Sequence, residues 1–143
     1  MRFIDDHNPY QPDFFIELDL EQTKEKIHSD ILEFCNRYKP EVLVAEALEA
    51  DYVIDILPQL ALSYGGLILK HPTRSVFPLG EMSTYVQRMP NSRYSVRFVL
   101  SPMHSQYHQI QQLFVTLDED IDIETHIQEL HSTYFLIGMN EGE

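Results

Sequence analysis

The run EVLVAEA, at residues 41–47, is the feature that most constrains the fold of this chain. It is short, continuous and rich in valine, which is typical of a strand covered on both faces. A helical pattern of apolar residues follows from about Glu49 to Tyr64, and the strand-like run LILK comes directly after Gly65 and Gly66. A strand, a helix and a second strand at this spacing predict a parallel βαβ unit with EVLVAEA in a central position.

The residues before this unit predict three further segments. Residues 1–12, with two prolines, are expected to form an irregular N-terminal arm. The run FFIELDL alternates apolar and polar side chains and predicts a half-buried strand. A helix then ends before Pro40, because proline lacks the N–H that a helix interior needs. Its predicted apolar face carries Ile27, Ile31, Phe34 and Tyr38. Pro58, inside the second helical pattern, predicts either a kink or the start of another short helix.

The C-terminal half changes pattern. The runs EMSTYVQR, SRYSVRFVL and QIQQLFVTL predict successive strands in an antiparallel meander, followed by a helix from Asp122 to about Tyr134. No internal repeat or flexible linker divides the chain, so residues 1–143 are expected to form a single domain. The predicted fold is an α+β or α/β sandwich with a mixed sheet and two or three helices.

Charge is segregated along the chain, although the total is −13. Residues 63–109 contain one acidic residue against five basic ones, whereas residues 1–62 carry a net charge of −9 and residues 110–143 a net charge of −8. The basic residues of the middle segment have two interpretations. They pair with the acidic flanks on the folded surface, or they converge on an anion.

Candidate site residues follow both strands of the predicted βαβ unit, where ligands tend to bind in sheets of parallel strands. The first strand is followed by Glu46, Glu49 and Asp51, and the second by His71, Thr73 and Arg74. An imidazole, a hydroxyl and a guanidinium within four residues can exchange a proton, donate a hydrogen bond and hold an anionic oxygen. Arg93 and Arg97, on a predicted strand, are further candidates for holding the anion.

A second His-x-Thr pattern occurs at His131 to Thr133. The pair of patterns resembles the paired motifs of two-histidine phosphodiesterases, in which one histidine acts as base and the other as acid on a phosphate. This resemblance makes His71, Thr73 and His131 the candidate catalytic residues. The first motif comes later in the chain than in that family, after an extra strand and helix, and the second lies near a predicted helix end rather than in a strand. The chain is not assigned to the family.

Metal and cofactor signals are weak. His104 and His108 are four residues apart and would share a helix face, which makes them weak candidates for metal ligands. The sequence contains no P-loop, dinucleotide-binding glycine pattern or nucleophile elbow motif, so no cofactor is predicted. Cys35 is the only cysteine and falls on the predicted buried side of the first helix, which excludes an internal disulfide and favours a cytoplasmic location.

Two functions from different classes remain open. The first is a non-enzymatic interaction protein of inhibitor, immunity or small regulatory type, which docks on a basic protein partner through its acidic ends. Its candidate contact residues are Asp118, Glu119, Asp120, Asp122 and Glu124, which could also stabilise the start of the last helix. The second is a small enzyme or sensor for a phosphorylated ligand. Direct nucleic-acid binding is disfavoured by the charge, no membrane segment is predicted, and a homodimer is possible under either function.

Overall fold

The computed structural model describes residues 1–4, 13–60, 66–117 and 122–130. Within these residues, six strands form one mixed sheet in the order β2-β1-β3-β4-β5-β6. The strands are β1 (Arg2–Ile4), β2 (Asp13–Phe15), β3 (Val42–Glu46), β4 (Gly66–Lys70), β5 (Val96–Val99) and β6 (Val115–Leu117). β1 is antiparallel to both β2 and β3, whereas β3, β4, β5 and β6 are parallel. The predicted mixed sheet and α+β class are confirmed.

The helices join these strands. They are α1 (Lys24–Tyr38), α2 (Leu48–Asp55), α3 (Leu79–Arg88), α4 (Ser92–Ser95), α5 (Tyr107–Leu113) and α6 (123–130), with a 3₁₀ turn at Leu57–Gln59. Pro58 lies at the start of the 3₁₀ turn, where its missing N–H costs no helical hydrogen bond. Of the two predicted roles of Pro58, the start of a second short helix is therefore confirmed.

The two faces of the sheet bury separate apolar clusters, because successive side chains of a strand point to opposite sides. One face carries Phe3, Leu43, Leu67 and Phe98, which are fully buried beneath the inner faces of α1, α2, α3 and α5. On the opposite face, strand residues and α6 together form a smaller buried cluster. Its members are Ile4, Val42, Val44, Ile68, Ile127 and Leu130. β3 is covered on both sides, as its continuous apolar run predicts.

α1 shows how local sequence sets the ends of an element. The hydroxyl of Thr23 accepts a hydrogen bond from the backbone N–H of Lys26 and caps the first turn. At the other end, Lys39 adopts a left-handed conformation, and Pro40 follows. The helix buries Ile27 and Ile31 as predicted, together with Cys35, whereas Tyr38 is partly exposed.

The predicted antiparallel meander in the C-terminal half is wrong. The run EMSTYVQR lies in α3, SRYSVRFVL begins as the short helix α4, and QIQQLFVTL begins within α5. β5 and β6 are parallel to β4 because these helices provide the crossovers that parallel neighbours require. The prediction of two or three helices is also wrong, since the described part of the chain contains six α-helices.

The irregular arm predicted for residues 1–12 is wrong for its first residues. Arg2–Ile4 forms β1, and the side chain of Phe3 is fully buried. Three residues are too few to show an alternating pattern in the sequence. The strand is recognisable only in the folded chain, where Phe3 and Ile4 are buried. Residues 5–12 lie outside the described residues. In the FFIELDL run only Phe14 and Phe15 belong to a strand, β2.

Candidate functional site

The loop that follows β4 is held in place by a carboxylate of α2. Asp51 is only 9% exposed, and its Oδ1 accepts hydrogen bonds from the backbone N–H groups of Thr73, at 2.9 Å, and Arg74, at 3.3 Å. The hydroxyl of Thr73 donates to the other carboxylate oxygen. Asp51 therefore satisfies three donors of a loop that comes 22 residues later in the chain.

A second carboxylate on the same helix gathers three basic side chains. Arg74 donates from Nη1 to Oδ1 of Asp55 at 2.7 Å, while Lys24 Nζ and His28 Nε2 each lie 3.4 Å from Oδ2. Burial disfavours the ionised form of Asp55, but the hydrogen bond and charge of Arg74, together with Lys24, hold its pKa below the ordinary value. The cluster joins α1, α2 and the β4–α3 loop.

A cleft of about 520 Å³ opens beside these groups. Its walls include Lys24, Asp51, Tyr52, Asp55, Thr73 and Arg74. The structure thus brings two of the predicted site residues, Thr73 and Arg74, into one cleft with acidic partners. The Thr73 hydroxyl and Nη1 of Arg74 are already bonded to these carboxylates, so the charges of the cleft are largely balanced by the chain itself.

Sequence analysis missed the role of Asp55 in this cluster, although a signal for it was present. Asp51 and Asp55 are four residues apart on a predicted helix, and residues at this spacing share a helix face. Their spacing predicts a pair of neighbouring carboxylates. The loop that they bind is not evident from the sequence, because the contact depends on β3 and β4 being adjacent and parallel.

His71 and Ala47 stand at equivalent places, immediately after β4 and β3, and both have positive φ angles. His71 has φ 48° and is exposed; its backbone N–H donates to the carbonyl of Val99 at 2.9 Å. Ala47 has φ 57° and ψ −124°, and its N–H donates to the carbonyl of Lys70 at 2.9 Å. In some hydrolases a sharp strand-to-helix turn presents a nucleophile. Here the turn carries only the methyl group of Ala47.

Replacing Ala47 by glycine is expected to raise the free energy of unfolding by about 1 kcal/mol. Glycine adopts this backbone conformation without the strain that a Cβ atom adds, and the relief outweighs the greater entropy of the unfolded glycine chain. Denaturant unfolding measures the change. Ala50→Gly, within α2, is the matched control and should destabilise by about 1 kcal/mol or more. If both variants lose stability equally, the turn at Ala47 is not strained.

The predicted anion-binding residues do not converge. Arg97 lies on the face of β5 that packs against α6, where its Nη1 donates to Glu129 at 2.6 Å and contacts Nδ1 of His126. Arg74 instead contacts α2, on the opposite side of the sheet. Arg93 is exposed on α4. Arg97 and Arg74 thus bind separate acidic partners on the two sides of the sheet, and His131 lies outside the described residues.

His104 and His108 have separate surroundings. Nε2 of His104 is 3.0 Å from the carbonyl oxygen of Arg74, and its Nδ1 accepts from the N–H of Gln106 at 3.0 Å. Nε2 of His104 therefore links its own turn to the β4–α3 loop, whereas Nδ1 bonds within that turn. His108 lies on α5, where its ring is edge-on to Tyr107. No group of three or more residues suited to bind a metal is found in the described part of the chain.

Two of the predicted partner-binding acids serve contacts within the chain. Asp122 precedes α6 and accepts hydrogen bonds from the N–H of Glu124 and the hydroxyl of Thr125, and this hydroxyl lowers the pKa of Asp122. Glu124 forms an ion pair with Arg2 at 2.5 Å. Asp118, Glu119 and Asp120 lie outside the described residues.

The exposed acids with no ion-pair partner concentrate elsewhere, between β2 and the first turn of α1. We call them the acidic segment; it consists of Glu17, Asp19, Glu21 and Glu25. All four side chains are exposed, and none has an ion-pair partner among the residues that the structure describes. Two exposed apolar side chains, Phe15 at 74% and Leu20 at 36%, lie in the same stretch of chain. The acid content of this region is evident from the sequence, but none of these residues is among the predicted site residues.

No family model, curated protein or solved structure matches this chain. None of the described helices is both long and apolar enough to span a membrane. Burial raises the pKa of Cys35, the single thiol, to about 11, so this side chain is unsuited to act as a nucleophile.

Proposed function

We propose that this chain is a non-enzymatic, acidic interaction protein of inhibitor, immunity or small regulatory type, which docks on a basic protein partner in the cytoplasm. The observation that carries this proposal is the distribution of ion pairs. Six of the ten lysine and arginine side chains bind carboxylates of the chain itself, whereas the acidic segment remains exposed and without ion-pair partners among the described residues. The paired basic residues are Arg2, Lys24, Lys26, Lys70, Arg74 and Arg97.

The charge pattern also supports the acidic partner surface over the anion site. Lys70, Arg74 and Arg97 are three of the five basic residues in the middle segment, and each has an acidic partner within 4 Å. An anion approaching Arg74 would have to compete with Asp55, which lies 2.7 Å away. A basic partner approaching the acidic segment meets no such competition, because these carboxylates form no ion pairs in the described part.

The apolar side chains beside the acids support a docking surface as well. Protein interfaces combine aromatic and aliphatic anchors at the centre with charged groups at the rim, and the anchors supply most of the binding energy. Phe15 and Leu20 are exposed within a few residues of Glu17, Asp19 and Glu21. Acidic groups steer the partner, and exposed apolar groups hold it after contact.

Neutralising the acidic segment is expected to slow partner association on the order of tenfold at low salt. The variant carries Glu17→Gln, Asp19→Asn, Glu21→Gln and Glu25→Gln, and amides keep the size of the carboxyl groups and one hydrogen-bond acceptor each. The partner is captured from a host lysate at low salt, eluted at high salt and purified. Its association rate with each variant is then measured against ionic strength, and wild type should show the steeper salt dependence.

A matched control changes the net charge equally at a different place. Glu81→Lys, Gln87→Lys and Asn91→Lys together add the same charge on and after α3, where these three side chains are exposed. The control variant should associate with the partner nearly as fast as wild type does. An association rate that does not change with salt, or a control that loses as much as the neutralised segment, would contradict docking through these acids.

A further inference from the structure

Among the described strands, β2 lies at one edge of the sheet. In the order of the sheet it has a neighbour only on the side of β1, as far as the described residues extend. The N–H of Ile16 donates to Met1, and the amine of Met1 donates to Ile16, so these two residues form a hydrogen-bonded pair. In an antiparallel pair such residues alternate with non-bonded ones. The N–H and C=O groups of Asp13 and Phe15 therefore point away from β1.

One side of β2 carries an acidic and an aromatic side chain. Phe15 is in register with Arg2, and the Arg2 guanidinium lies 5.9 Å from the centre of the Phe15 ring while also binding Asp13. Asp13 and Phe15 lie on one side of β2, and Glu17, which is exposed, comes two residues after the end of the strand. The ring of Phe15 is 74% exposed, although it belongs to a strand of the sheet.

We propose that β2 accepts an extended strand from the partner, with an apolar residue opposite Phe15 and a basic residue beyond it, toward Glu17. This inference rests on the proposed function and specifies the partner's contact segment. The outward N–H and C=O groups of Phe15 supply two main-chain hydrogen bonds, as in other cases of strand addition. Opposite charges facing each other across neighbouring strands stabilise the pair. Asp13 already binds Arg2 at 2.6 Å, so the exposed Glu17 is the carboxylate that selects a basic residue in the partner strand.

A second copy of this chain fits the same edge poorly. An antiparallel pairing of two β2 strands centred on Phe15 would place Asp13 of one copy opposite Glu17 of the other. A parallel pairing would place like residues side by side. Like charges that face each other across a sheet destabilise it, so the edge opposes self-association and favours a basic strand.

The test uses a fluorescein-labelled, terminally blocked heptapeptide, Ser-Lys-Thr-Val-Thr-Lys-Ser. Binding to the full chain at low salt is measured by anisotropy, and hydrogen exchange of backbone amides is followed by NMR. We expect binding to slow exchange of the Phe15 amide. Phe15→Ser should weaken binding about tenfold, whereas Tyr94→Ser should leave it unchanged. Tyr94 is the matched control because it is an aromatic residue, 65% exposed, on α4.

Two altered peptides separate strand pairing from simple charge attraction. A peptide with an N-methyl group on its valine keeps every charge but loses the donor to Phe15, and it should bind at least tenfold more weakly. A peptide with both lysines replaced by glutamate should not bind. Equal binding of the N-methyl peptide, unchanged exchange of the Phe15 amide, or no binding at about 1 mM peptide would each overturn the inference.

The native partner distinguishes failure of this inference from failure of the proposed function. If the partner's association depends on salt and on the acidic segment but Phe15→Ser binds it as tightly as wild type, strand addition is wrong and acidic docking stands. If association depends on neither salt nor these acids, the proposed function fails as well. Thermal unfolding of each variant confirms that it is folded under the conditions of the assay.

Discussion

Asp51→Ala is expected to lower the free energy of unfolding by about 3 kcal/mol. The substitution removes the charged acceptor of three hydrogen bonds, from the backbone N–H groups of Thr73 and Arg74 and from the hydroxyl of Thr73, and a hydrogen bond to a charged group contributes about 1.5–3 kcal/mol. For a chain of this size the thermal midpoint should fall by roughly 10 °C. Denaturant and thermal unfolding followed by circular dichroism measure both quantities.

Two further variants show whether the effect comes from the loop. Asp30→Ala removes an aspartate that pairs with Lys26 on the surface of α1, and such pairs contribute only about 0–1 kcal/mol. Thr73→Val removes one of the three donors to Asp51 and should cost about 1 kcal/mol alone, but much less in the Asp51→Ala background. Equal losses in Asp51→Ala and Asp30→Ala, or additive losses with Thr73→Val, would contradict the role of Asp51 as the anchor of the loop.

Gly66→Ala is expected to lower the free energy of unfolding by about 2–3 kcal/mol through overpacking. A Cβ atom at Gly66 would lie 2.5 Å from the backbone oxygen of Glu41 and 3.1 Å from Cγ2 of Val42. Gly66 is in register with Val42, so β3 and β4 have to move apart at the start of their ladder to relieve the clash. Backbone atoms within a sheet move at greater cost than the flexible end of a side chain. Denaturant unfolding again provides the measurement.

Gly80→Ala is the control for this prediction. A Cβ atom at Gly80 would meet no atom within 4 Å, and this residue lies in the first turn of α3. Alanine has the higher helix propensity, so the substitution should raise the free energy of unfolding by about 0.5–1 kcal/mol. The two glycine-to-alanine changes should therefore have opposite signs. A stable Gly66→Ala variant would mean that β3 and β4 are not packed as closely as the structure shows.

Much of the candidate site could not be predicted from the sequence, because its contacts join distant parts of the chain. Residues close in sequence, such as Thr73 and Arg74 or Asp51 and Asp55, are recognisable as groups from their spacing alone. Whether a group is available to a ligand depends on its partners, and these come from distant parts of the chain. Asp55 pairs with Arg74, 19 residues later, and Arg97 pairs with Glu129, 32 residues later. Only the fold shows that Arg74 and Arg97, two residues of the predicted anion site, form ion pairs within the chain.

Short elements account for the errors in the predicted fold. The eight-residue run EMSTYVQR buries Met82, Tyr85 and Val86, a spacing of three and four residues that fits a helix. In so short a run, the sequence pattern did not exclude a strand. This error also reversed the predicted direction of β5, because a helix between β4 and β5 permits a parallel neighbour and a tight hairpin requires an antiparallel one.

The sequence alone determined the central strand, the parallel β3–α2–β4 unit, the apolar face of α1 and the excess of acidic residues, because each of these follows from local patterns or from composition. The tertiary structure decided the directions of β5 and β6, the strand at Arg2–Ile4 and which basic groups are already paired with acids. These features depend on contacts between segments distant in the chain, whose adjacency no local pattern encodes. The physical cause is the same in each case: burial and ion pairing are properties of the assembled sheet and its helices.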